Sequence, residues 1–120
     1  MSYASRQDLI DRFGERELIQ LTDRANRPQT TIDETVVDRA LADAEGLIDG
    51  YLASVGVLPL TETPPVLVRV ACDLARYFLH GKAAEKDGAV DRANTAAIKW
   101  LQDVSRGLVK LVSEAGVGAP

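Results

Sequence analysis

Residues 64–80, PPVLVRVACDLARYFLH, constrain the fold more than any other stretch of this sequence. From Val66 to Leu79 almost every position is apolar; the exceptions are Arg69, Asp73 and Arg76, with His80 following. Their spacing of 4, 3 and 4 confines the polar groups to one narrow stripe of a helix, with Asp73 within reach of both arginines. A helix that is apolar around the rest of its circumference has to be packed on several sides. It is therefore central, and the other elements must be arranged about it. The proline pair suits its start, because the first helical turn tolerates proline, and Thr63 is placed to cap it.

The rest of the chain supplies helices to surround it. Ser5 with Asp8 reads as a capping box for a short helix carrying Leu9, Ile10 and Phe13, closed by Gly14. Glu15 to Leu21 reads as a second short helix, and residues 22–30, with Asn26 and Pro28 as breakers, as a loop. Thr31-Ile-Asp-Glu34 resembles another capping box, predicting a long helix from about Ile32 to Ser54 with Val37, Leu41, Ala44, Ile48, Tyr51 and Val55 on its apolar stripe. Acids dominate its remaining faces. Ala42, Gly46 and Gly50 form a further row at four-residue spacing, and interior glycines cost up to about 1 kcal/mol each relative to alanine. Close approach of a neighbouring helix and contact with another subunit both explain such a row. After Gly56, Val57 to Leu60 reads as extended, and Gly81 to Gly88 as a charged loop. A last helix is expected over Ala89 to Arg106, with Ala93, Ala97, Trp100, Leu101 and Val104 inward and Trp100 buried near Leu74 and Phe78. The expected fold is all-α: a compact bundle of four to five helices over residues 1–107, one short extended segment, and a flexible C-terminal arm over 108–120.

Composition limits the function. A chain of 120 residues is one domain's worth. Eighteen acidic residues against fourteen basic give a net charge of −4, the wrong sign for a dedicated nucleic-acid binder. The single Cys72 allows no internal disulfide and no zinc set, and reads as core. The start lacks the apolar stretch of a signal peptide, and no run approaches the roughly 20 apolar residues that span a bilayer. The chain reads as a soluble protein made in the cytoplasm.

No constellation carries chemistry. Asp23 and Glu34 are spaced like the outer ligands of an EF-hand loop, but Ala25, Arg27 and Pro28 stand where ligands and the glycine belong. His80, the only histidine, sits at a helix end where a cation is favoured. No catalytic set, cofactor site or metal site can be assembled, and no enzymatic activity is expected. The two short helices about Gly14 have the outline of a helix-turn-helix, yet the second opens with Glu15 and Glu17, repulsive to phosphates. The stripe of Arg69, Asp73 and Arg76 has two readings, a solvated face or an interface.

The stretches "MSYASRQDLIDRFGERELIQLTDR", "RALADAEGLIDGYL", "LPL", "PPVLVRVACDLARYFL" and "WLQDVSRG" together resemble a family of small virion proteins encoded in the head-to-tail region of Mu-like phages and prophages. The resemblance covers most of residues 1–107. Many relatives carry an Asp- and Gly-rich loop after "LTDR", where this chain has "ANRPQTT". The family is similar to helical head–tail adaptor proteins that form a ring beneath the portal. The resemblance implies a structural subunit of the head–tail connector (neck or head-completion protein) in the virion. Its expected partners are further copies of itself in a ring, the portal protein, and a tail-side neck or terminator protein. DNA would be met only as the passing genome, and no membrane is involved. For such a ring, the expected interface pairs Asp38, Asp43, Glu45 and Asp49 on one copy with bases of the later helices, Arg69, Arg76, Arg92, Lys99 and Arg106, on the next; Asp73 shares that stripe. The contrasting reading is a small regulator that binds DNA or a host protein through residues 5–27, with Arg16, Arg24 and Arg27.

Overall fold

A computed structural model describes residues 3–56, 60 and 62–107, except for the Lys82 side chain. Five α-helices follow in order: α1 Arg6–Phe13, α2 Glu15–Thr22, α3 Glu34–Ala53, α4 Pro65–His80 and α5 Ala89–Ser105, with a 3-10 turn over Gly81–Ala83. The described residues contain no strand, so the all-α expectation holds. Residues 57–59 of the expected extended segment, and the expected arm from 108 onward, lie outside the described residues.

The apolar α4 is the centre. It packs on α3 along one side and α5 along another, while α1 and α2 close a third. Leu67, Val70, Ala71, Cys72, Leu74, Ala75 and Leu79 are buried along it. Each fully buried large aliphatic contributes about 1.5–3 kcal/mol from removal of apolar surface from water. The start of α4 differs from expectation. Pro64, not Thr63, holds the capping position, and its carbonyl accepts from the Leu67 and Val68 amides at 2.9 and 3.3 Å. Pro65 follows at the first helical position, where a missing N–H costs nothing.

The capping box on α1 forms as read: the Asp8 amide donates to Ser5 Oγ and the Ser5 amide to Asp8 Oδ2. Gly14 alone joins α1 to α2, at φ +91°, a left-handed region that side chains other than glycine rarely enter. The long helix starts later than the spacing predicted. Its cap is Asp33, whose carboxylate accepts from the Thr35 and Val36 amides, because Thr31 is held elsewhere, by Asp23. Buried positions on α3 are Val37, Ala40, Ala44, Ile48 and Leu52; Leu41, Tyr51 and Val55 lie half-buried at its margins.

On α5 the inward row is Asn94, Ala97, Leu101 and Val104. Trp100 is half-buried at the core's edge, and Phe78, its expected neighbour, is 38% exposed, in edge-to-face contact with Tyr77. The reason is rotational. Consecutive residues of a helix stand roughly 100° apart, so seating Leu101 at the centre turns Trp100 toward the rim.

Candidate functional site: an interaction surface

Three seams of charged and polar residues join the described elements, and they take in some of the residues singled out above. In the first, Arg76 of α4 grips Glu17 of α2 with two bonds, Nε to Oε2 at 2.7 Å and Nη2 to Oε1 at 2.8 Å. The same guanidinium lies over the Phe13 ring, 4.3 Å from its centroid. The fork geometry of arginine makes such a joint directional as well as strong. Glu17 holds the Arg76 charge above its ordinary range, and His80 Nε2 stands 3.8 Å from the same carboxylate. Arg76 thus ties the central helix to the α1–α2 hairpin, whereas Arg69 is exposed. Asp73 between them is half-buried, and burial raises its carboxyl above the usual range against the pull of Arg69, Arg12 and Arg76.

The second seam fastens the N-terminal segment to α3. Arg6 donates to both carboxylate oxygens of Asp38, at 2.8 and 2.9 Å, and to Glu34 at 2.9 Å. The hydrogen bonds from Arg6 hold the Asp38 carboxyl below its ordinary range. Tyr3, buried, donates its hydroxyl to Asp49, and its own proton is held tighter, first by burial and then by that bond. Of the four α3 acids proposed for an interface, Asp38 and Asp49 are therefore engaged within the chain. Asp43 is exposed, and Glu45 is half-buried beside the groove described below.

The third seam is the loop between α2 and α3. Asp23 is buried, and its carboxylate accepts from the backbone amides of Ala25, Asn26, Thr30 and Thr31 at 2.9–3.1 Å, and from the side chains of Asn26 and Thr31. These donors, Thr30 first, hold it far below the usual carboxylate range. Thr22 donates to the Leu18 carbonyl and accepts the Asp33 amide, while Gln29 caps the Gln20 and Asp23 carbonyls. The carboxylate that outlined an EF-hand in the sequence is thus the organiser of a turn. The roles of Asp23, Arg6 and Tyr3 are not legible in the sequence because their partners are backbone amides or residues on a distant helix. For Arg6, the excess of acids on α3 was the available signal.

Between α1 and α3 an open cleft of about 650 Å³ is left, with Ile10, Leu18, Ile32, Val37 and Leu41 on its walls and Arg6, Glu34, Asp38 and Glu45 about it. Next along α3 lies a shallower notch of about 280 Å³ at Gly46, Leu47, Gly50 and Tyr51. A Cβ built on either glycine meets no atom within 4 Å. The expected close approach of a helix from the same chain is therefore absent among the described residues.

The helix-turn-helix outline is also altered. The single residue Gly14 connects α1 to α2, shorter than the roughly three- to four-residue turn of the DNA-binding motif. Arg16, Arg24 and Arg27 are exposed.

These features define a class: a small all-helical protein with charged joints between its helices and a long helix that keeps one face uncovered among the described residues. Among the described residues no cluster of three or more His, Cys, Asp or Glu is placed to hold a metal, and no helix is long and apolar enough to cross a membrane. The chain belongs to the Bacteriophage Mu Gp36 family, which it matches over residues 3–119. It is 39% identical over 110 residues to the Mu-like prophage FluMu protein gp36 of Haemophilus influenzae, an alignment covering 91% of this chain and 74% of that protein. It is 37% identical over 110 residues to gene product J of Escherichia phage Mu, covering 89% and 74%. It is thus a protein of the Mu-like phage and prophage type.

Proposed function

We propose that this protein belongs to the phage head region and acts as a head–tail connector subunit, a neck or head-completion adaptor that assembles as a ring below the portal. It performs no catalysis. One observation carries the reading beyond family membership: α3 keeps two exposed interior glycines and an apolar cleft that nothing in the described chain covers. Glycine in a helix interior is destabilising, so the space it leaves is of use to a molecule that packs against it. A head-to-tail neighbour is such a molecule, because in a closed ring every copy offers one face and receives another. Further partners in this reading are the portal above and a tail-side neck or terminator protein below. The net charge of −4 suits the lining of a DNA conduit, since phosphates are repelled rather than held.

Cryo-electron microscopy of the phage neck tests this directly. A ring whose subunits accept the five-helix body is expected, and a neck with no density of that shape removes the proposal. The exposed Arg16, Arg24 and Arg27 are the one feature that favours the regulator reading. A salt-sensitive shift of duplex DNA at micromolar protein would be its signature.

A further inference from the structure

The cleft and the notch lie along one helix. Ala42 lines the first, Gly46 and Gly50 the second, and the three recur every four residues on α3. The cleft's floor is apolar, with Leu18 and Val37 fully buried beneath it, and among the described residues the ionisable groups about it are Arg6 against Glu34, Asp38 and Glu45, three acids to one base. An occupant complementary to it is a short apolar segment carrying one base. The chain contains such a segment outside the described residues: Leu108-Val109-Lys110-Leu111-Val112, four aliphatic side chains about a lysine. The family match runs on to residue 119, so this segment is part of what the family shares.

We infer that residues 108–112 of a second copy dock in the α1–α3 cleft, aliphatic side chains on its floor and Lys110 at its acidic rim. The inference rests on the ring reading, in which every copy offers one face to a neighbour and receives another. Docking of this kind links subunits without any new folded element, and the effective concentration within a ring favours it.

Interchain crosslinking tests it with the full chain. One preparation carries Ala42→Cys, at an exposed position lining the cleft, and a second, distinguishable by mass, carries Val112→Cys. The native Cys72 stays silent, being fully buried with its thiol pushed up to about 11. After mixing and a short bismaleimide reagent, the mixed dimer should exceed that from Thr95→Cys, on exposed α5 surface, with Val112→Cys by at least about tenfold. Adding Lys110→Glu to the second chain should cut the yield severalfold. Yield no higher than the Thr95 control, in a protein that native mass shows to be oligomeric, overturns the docking and leaves the ring reading intact. In a third preparation carrying both Ala42→Cys and Val112→Cys, linkage only within one chain means that each segment folds onto its own cleft, which overturns the second-copy occupant. A monomer with no interchain linkage overturns both.

Discussion

At Asp23 one carboxylate gathers four backbone amides and two side-chain donors that come from both ends of a loop. Such a group binds its proton less readily folded than unfolded. Its stabilising effect is therefore full above the unfolded value of about 3.9 and is lost as the pH falls toward the depressed folded value. Asp38 acts in the same sense through Arg6, and Asp73, whose carboxyl is raised, in the opposite one. Asp23→Asn should lower the melting temperature at pH 7 and flatten its decline between about pH 4 and pH 2. Thermal melts across that range check it, and an unchanged acid slope would mean the loop is held by other groups. The contrast with Ser5 shows what a sequence discloses at this scale. Ser5 and Asp8 serve each other across three residues, so the cap was legible; Asp23 serves amides, which every residue carries, so nothing in the letters marked it.

Helices reported their existence through spacing, and their neighbours only in part. The centrality of α4 was readable because an apolar helix has few places to go. Which residue Arg76 would meet was not: Glu17 lies 59 positions away, and Asp73 on the same helix was the nearer candidate. The rotation of α5 was missed for a similar reason. Size favoured Trp100 as the anchor, while the row set by Asn94, Ala97, Leu101 and Val104 seats Leu101 instead. Leu101→Ala should therefore cost about 3 kcal/mol and Trp100→Ala about 2 kcal/mol, reversing the order that side-chain size implies. Urea denaturation of the two variants decides it, and a larger loss for Trp100→Ala would return the tryptophan to the core. On α3, Gly46→Ala and Gly50→Ala meet no atom within 4 Å. Each should stabilise the isolated chain by about 0.5–1 kcal/mol through helix propensity while weakening assembly. Native mass measured beside the melts separates the two effects; stabilised variants that assemble normally would make the notch idle.

Across the whole molecule the charges divide between internal joints and free surface. Reversing Arg76 would set a glutamate against Glu17, so it tests the fold before it tests any ring. Arg69 and Asp43, both exposed, are the cleaner probes. Arg69→Glu should keep the melting temperature within a few degrees and slow assembly, and the wild-type rate should itself fall as salt rises past about 0.15 M. Light scattering against time gives both rates; a salt-independent rate would mean that apolar contacts alone guide the encounter. The turn held by Asp23 has a consequence for lineage. Most of its bonds end on main-chain N–H groups, which substitution does not remove, and Arg24 and Arg27 project outward uninvolved. Substitution can therefore rewrite much of this bend while the helices on either side keep their places. Its length is under a stricter inheritance than its spelling: one residue more or fewer between Asn26 and Thr30 carries two of those amides out of reach of the carboxylate.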